Sequence, residues 1–154
     1  MDDRLRLLLV CSSGGHLAQL HCLDAWWSRH DRAWVTFDKP DARSLLEGER
    51  VHWGHHPTNR NLPNLLRNTV LAWRVLRAER PQVIVSNGAG IAVPFLWLGK
   101  LFFGAVTVYV EVYDRIDTPT LTARLVRPVL DRMVLQWEEQ RASYPEGVVM
   151  GSVL

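Results

Sequence analysis

An apolar run that ends in a glycine turn and continues as a helix constrains this chain more than any other feature. Leu7-Leu8-Leu9-Val10 leads into Cys11-Ser12-Ser13-Gly14-Gly15-His16, and a helix-like segment follows from Leu17 to His30. A strand passing through such a turn into a helix N-terminus gathers backbone N–H groups and the positive end of the helix dipole at one point. Glycine there lets an anion come close to the chain. His16, at the start of the helix, adds a side chain that binds or transfers a proton. Ser12, Ser13, Gly14, Gly15 and His16 therefore predict a site for a phosphate- or diphosphate-bearing ligand.

The rest of the chain repeats the alternation. The pattern predicts strands over Leu5–Ser12, Ala33–Phe37, Arg50–His56, Val83–Val85, Val106–Val112, Met133–Trp137 and Gly147–Met150. Helices are predicted over Gly15–His30, Asp41–Leu46, Asn61–Arg80, Ile91–Phe103 and Leu121–Leu130. Leu17, Leu20, Leu23, Trp26 and Trp27 recur at helical spacing in the first helix, and Leu62, Leu66, Thr69, Trp73 and Leu76 in the third. Strands alternating with helices imply βαβ units and a Rossmann-like parallel sheet with helices on both faces, folded as one domain over residues 1–154. Ligands of such sheets bind at the carboxyl ends of the strands. That rule singles out the loops at 12–16, 86–90 and 111–118.

Composition bounds the function classes. The 154 residues are 47% hydrophobic and 22% charged, a globular composition, and the net charge of +2 gives no electrostatic reason to expect nucleic acid. Cys11 and Cys22 match neither a disulfide framework nor a metal site, and both are read as reduced core residues. His52, His55 and His56 have no cysteine or carboxylate at ligand spacing, so no metal is expected. The start Met1-Asp2-Asp3-Arg4 does not read as a secretory signal, and no apolar run reaches about 18 residues. A cytoplasmic location follows by default.

Three further segments carry candidate chemistry. Asn87-Gly88-Ala89-Gly90 is a second glycine turn between a strand and a helix. Glu111 ends a strand, with Asp114 and Arg115 close behind, where a carboxylate can act as a general base or hold sugar hydroxyls. Arg67, Arg74 and Arg77 oppose the apolar stripe of the 61–80 helix, giving either a solvated face or a basic amphipathic helix that rests on anionic lipid with Trp73. Ile91–Phe103 is apolar on nearly every side and points to an interface. Asp38 lies where a dinucleotide fold would hold a ribose, but the G-x-G-x-x-G spacing and the lysine pattern of phosphate loops are both absent.

Several motifs recur in order in a known family. They are Ser12-Ser13-Gly14-Gly15-His16 with Leu20, Asn87-Gly88-Ala89-Gly90 with Pro94, Val108-Tyr109-Val110-Glu111 through Arg115, Leu121-Thr122-Ala123-Arg124-Leu125, and Val134-Leu135-Gln136-Trp137. The chain resembles the acceptor-binding, membrane-associated subunit of the two-chain GlcNAc transferase that extends dolichol-diphosphate GlcNAc, and that subunit's bacterial relatives in capsule and exopolysaccharide synthesis. The resemblance implies the N-terminal half of a GT-B glycosyltransferase. Its partner is then a C-terminal-half subunit that binds the UDP-sugar, its acceptor a lipid-diphosphate-linked glycan, and its location the inner face of the cell membrane as a peripheral protein. The donor sugar is expected to be GlcNAc or a related hexose or uronic acid, transferred with inversion. No metal and no cofactor beyond the UDP-sugar substrate are implied. Gly14, Gly15 and His16 then lie by the acceptor diphosphate with Ser12, Ser13, Asn87, Gly88, Gly90 and Arg115, and either His16 or Glu111 is the catalytic base. Eukaryotic members carry an N-terminal membrane helix that is not read here, and Val112 stands where the family often has serine. A non-catalytic membrane adaptor and a stand-alone nucleotide-binding protein are the alternative readings.

Overall fold

The structure is a computed structural model that describes residues 3–153; Met1, Asp2 and Leu154, the outer limits of the expected domain, lie outside that span. Seven strands form one parallel sheet. They are β1 (Arg6–Cys11), β2 (Asp31–Phe37), β3 (Val51–Gly54), β4 (Val83–Gly88), β5 (Val106–Val110), β6 (Arg132–Leu135) and β7 (Val148–Val149), in the order β3-β2-β1-β4-β5-β6-β7. The strand runs are apolar without alternation because both faces of the sheet are covered. Leu8, Val10, Ala33, Val35 and Ile84 pack on one face, and Leu7, Leu9, Trp34 and Val85 on the other.

Helices α1 (Gly15–His21), α2 (Asp24–Trp27) and α3 (Pro40–Leu45) precede helices α4 (Leu62–Glu79), α5 (Ala92–Phe103) and α6 (Leu121–Val126) along the chain. The single helix expected over 15–30 is broken. The Leu23 N–H turns back to the Leu20 carbonyl, and α2 restarts so that Trp27 packs edge-on against Trp34 and donates from Nε1 to the His21 carbonyl. Trp26 of the apolar repeat is left exposed, and so is Cys22, which corrects the reading of Cys22 as a core residue; Cys11 is buried as expected. Pro128 shortens the helix expected to reach Leu130, and Arg127–Val129 closes as a 3-10 turn. Glu111 and Val112 lie beyond the end of β5 instead of within it.

Helix α4 carries a second correction. Asn61 caps it by accepting from the Asn64 N–H at 2.9 Å, and Arg80 ends it in the left-handed conformation. Its core side is Asn64, Asn68, Ala72, Val75 and Leu76, whereas Leu62 and Leu66 of the expected stripe are 72% and 68% exposed. Only Leu76 of that stripe reaches the core; Trp73 lies on the outside against Phe102 and Phe103 of α5. On α5, Ala92, Pro94, Phe95, Leu96 and Gly99 are buried, while Leu101 and Phe102 are exposed. None of the described helices is long and apolar enough to cross a membrane.

Asn68 fastens α4 to the loop after β3. Its Oδ1 accepts from the His55 N–H, and its Nδ2 donates to the His55 carbonyl, both at 2.8 Å. Asn68→Asp keeps the acceptor and loses the donor, leaving two oxygens face to face in a buried position. The expected loss is about 2–3 kcal/mol at pH 7. Burial raises the folded-state pKa of the new carboxyl above its unfolded value, so the folded variant binds the proton more tightly. Its stability recovers as pH falls through that value, because the protonated acid donates again. Urea midpoints measured between pH 7 and pH 4 check this; a pH-independent deficit contradicts it.

Candidate functional site at the carboxyl edge of the sheet

The strand order reverses between β1 and β4, and the crevice of a doubly wound sheet opens at that point. The turns after these two strands are the two glycine turns. Adjacent strands lie about 4.8 Å apart, so the ends of β1, β4 and β5 form a row roughly 10 Å long. The fold thus brings the 12–16, 86–90 and 111–115 segments to one edge.

At the end of β1, Gly14 adopts φ +75° with open space where a Cβ would stand, so the backbone conformation and not crowding demands glycine. Its N–H donates to Asp41 Oδ2 at 2.8 Å, so this turn amide already holds a carboxylate. Asp41 was legible in the sequence only as the start of a short helix. Ser12 and Ser13 are half-buried beside it, and Gly15 opens α1.

His16 lies over the end of β4. Asn87, almost fully buried, donates from Nδ2 to the His16 carbonyl at 2.7 Å. The ring packs against Gly88, where a Cβ would stand 3.2 Å from His16 Cε1 and 3.2 Å from the Tyr109 hydroxyl. Gly88 has φ +116°, so glycine is required both by the backbone and by the ring above it. Among the described residues neither His16 Nδ1 nor Asn87 Oδ1, both buried, has a hydrogen-bond partner, and His16 as a whole is half-buried. Burial holds the His16 pKa below the ordinary histidine value, opposed by the Asn87 backbone and the Asp114 charge. Burial therefore favours the neutral imidazole, the form able to accept a proton. Gly90 lets Thr58 approach, with 3.2 Å from an added Cβ to Thr58 Oγ1.

Glu111 sits differently from His16. It has no exposed surface; Oε2 accepts from the Tyr144 hydroxyl at 2.6 Å and Oε1 from the Val112 N–H at 3.0 Å. Burial pushes its pKa up, against the Tyr144 and Val112 bonds and the Arg115 charge. Arg115 itself is exposed on the same turn. Of the rival features, Asp38 is held bidentately by Arg43, and His52 Nε2 pairs with Glu79 Oε1 at 2.6 Å.

Sequence reasoning missed Tyr144, Gln19 and Gln140 and named Gln136 only within a family motif; all four are buried around this edge. Gln19 falls between buried Leu17 and Leu20 on α1, and Gln136 is the polar member of an otherwise apolar strand end. Polar residues in such positions must find internal partners, and that was the available signal.

Comparisons with known proteins agree with this architecture. The family described as "Oligosaccharide biosynthesis protein Alg14 like" matches residues 55–153. The rat protein named UDP-N-acetylglucosamine transferase subunit ALG14 is 31% identical over 97% of this chain and 83% of its own length. The mouse protein of the same name is 26% identical over 99% of this chain and 84% of its own. Among solved structures, MurG of Acinetobacter baumannii superposes with a TM-score of 0.69 at 13% identity, over 87% of this chain and 42% of that one. A UDP-N-acetylglucosamine 2-epimerase superposes with a TM-score of 0.78 at 9% identity, over 97% and 49%. The chain thus spans less than half the length of these structures. It has the Rossmann-like fold of one half of a GT-B protein, and it belongs to the Alg14-like family of oligosaccharide biosynthesis proteins.

Proposed function

We propose that this chain is the acceptor-binding subunit of a two-component glycosyltransferase, which moves a sugar from a UDP-sugar to a lipid-diphosphate-linked acceptor. The observation that carries the reading is the half-buried His16 ring, packed over Gly88 at the point where the strand order reverses. The names of the ALG14 relatives, subunits of a UDP-N-acetylglucosamine transferase, support the reaction class. The word subunit in those names supports a partner polypeptide, which in this reading binds the UDP-sugar.

In this reading the acceptor hydroxyl oxygen attacks C1 of the donor sugar from the face opposite UDP. The C1–O bond to UDP breaks with its electron pair on the leaving diphosphate, the hydroxyl proton passes to His16 Nε2, and the anomeric configuration inverts. The 12–16 and 86–90 turns and Arg115 face the acceptor diphosphate and offset its charge. Glu111, enclosed and bonded through both oxygens, is the weaker candidate for the base.

The same reading takes the α4–α5 face as a peripheral contact with the inner face of the cell membrane. Leu62, Leu66, Val70 and Trp73 line up along the outside of α4 and continue onto Phe102 and Leu101 of α5. Arg67, Arg74 and Arg77 flank them, and a cleft of about 640 Å³ at the end of α4 is lined by Arg6, Arg77 and Arg80 beside Trp73 and Phe102. An apolar stripe bordered by guanidinium groups suits an anionic lipid surface.

Transfer is measured with the chain alone, with its partner subunit, and with His16→Ala in the complex, using labelled UDP-sugars and a lipid-diphosphate acceptor. Transfer only with the partner, falling by about 100-fold or more in the variant, is expected. The acid limb of transfer by the wild-type complex is expected at lower pH than an ordinary histidine base would give, because burial lowers the His16 pKa. Undiminished transfer by His16→Ala moves the chemistry to the partner and leaves this chain an adaptor. For the membrane contact, Leu66→Glu with Val70→Glu is expected to abolish flotation with phosphatidylglycerol vesicles while leaving transfer to a short-chain soluble acceptor intact; unchanged flotation refutes that contact.

A further inference from the structure

An ordinary surface connection leaves its backbone to water, but the turn after β5 does not. The Glu111 N–H bonds the Val134 carbonyl at 2.9 Å, the Val112 N–H bonds Glu111 Oε1, and the Tyr113 N–H bonds Gln19 Oε1 at 3.3 Å. Side-chain donors meet the carbonyls in turn. Gln136 Nε2 reaches Glu111 at 2.9 Å, Trp137 Nε1 reaches Tyr113 at 2.7 Å, and Gln140 Nε2 reaches both Val112 at 3.1 Å and Arg115 at 3.0 Å. The Gln140 amide is fully used, since its oxygen accepts from the Gln136 and Trp137 N–H groups at 2.8 and 3.2 Å. Gln136 Nε2 also donates to Gln19 Oε1 at 3.1 Å, so Gln19 joins the turn to the C-terminal segment.

Gln19 is three residues beyond His16 on α1, and i and i+3 positions share a helix face. The bond from Tyr113 to Gln19 therefore fastens the turn beside the histidine. Glu111 and Val112 face inward, while Tyr113, Asp114 and Arg115 are exposed at the carboxyl edge. Tyr144, from the far end of the chain, closes the assembly on Glu111 Oε2. So many side-chain bonds to one five-residue turn fix its geometry, which is what a ligand-contacting wall requires.

We infer that Tyr144, Gln136, Gln140 and Gln19 are positioning residues, which hold Tyr113–Arg115 against the His16 helix as one wall of the acceptor site, with Glu111 as their anchor. The catalytic consequence rests on the glycosyltransferase reading; the order of the turn does not. Tyr144→Phe removes one hydroxyl and keeps the ring that faces Arg127.

The test uses the full chain with its partner subunit and compares Tyr144→Phe, Glu111→Gln and the double variant. Amide exchange over residues 112–116 is expected to quicken at least tenfold in Tyr144→Phe while α5 keeps its wild-type rates. Transfer is expected to lose about tenfold in kcat, as for a small misplacement of a site wall, with the KM for the UDP-sugar unchanged. The double variant loses no more than the worse single variant, because both changes cut the same anchor. Should Tyr144→Phe fail to fold, Gln19→Met, which removes only the bonds at the α1 end, is expected to quicken the same amides. Unchanged exchange over 112–116 overturns the inference. So does a Glu111→Gln variant that abolishes transfer while Tyr144→Phe retains wild-type kcat, the pattern of a catalytic Glu111. Absence of transfer in the wild-type complex defeats the functional reading instead, and the exchange arm still decides the positioning role.

Discussion

The pairing of β1 with β4 is the contact on which the rest of the carboxyl edge depends. Leu7, Leu8, Leu9 and Val10 stand beside Val83, Ile84, Val85 and Ser86 in regular parallel register, and the register then slips so that Cys11 meets Gly88. Burying side chains such as Leu8, Val10 and Ile84 stabilises the pair by about 1.5–3 kcal/mol each, which makes the register hard to shift. The slip falls where the ladder ends, and an irregularity of this kind re-aims the chain beyond it. It brings Gly88 under the His16 ring and the Asn87 amide under the His16 carbonyl. His16 and Asn87, 71 residues apart in sequence, thereby join their two turns into one surface.

Burial sets the chemistry of that surface. Removing a group from water disfavours its charged form, so the His16 pKa falls and that of Glu111 rises. The consequences differ because the partners differ. The His16 ring is only half-buried, and the proposed reading makes it the group that exchanges a proton. Glu111 has both oxygens bonded inside the protein, which makes it part of the framework. The two candidate bases thus differ in surroundings, and the proposed reading favours His16 on that ground.

The sequence made the alternating sheet, the two glycine turns and their shared edge legible, because apolar runs and turn residues are local signals. The helix of 61–80 was legible as a helix but not in its orientation. Leu62, Leu66 and Trp73 repeat at helical spacing as a core stripe does, yet Asn64 and Asn68 face inward because each reaches loop backbone: Asn64 donates to Pro57, and Asn68 bonds His55 twice. Polar residues chose the buried side, and no periodicity of apolar residues reveals that. The bond from Tyr144 to Glu111 joins residues 33 apart, across the 3-10 turn Glu138–Ala142, and depends on the folded path of the C-terminal segment. Gln19 and Gln136, 117 residues apart, meet for the same reason. Such contacts have no local signature beyond the presence of polar residues in apolar surroundings.

In the proposed reading the ends of β1, β4 and β5 form one preorganised site for a lipid-linked diphosphate, with His16 at its centre. Titrating the isotopically labelled complex with a short-chain lipid-diphosphate sugar, and following the His16 ring nitrogens with the amides of 12–16, 86–90 and 112–116, tests this most directly. The account predicts that these resonances move together with one saturation curve and that the His16 Nε2 signal shifts most. Shifts confined to the α4 face, or saturation that leaves the His16 ring unmoved, would contradict it.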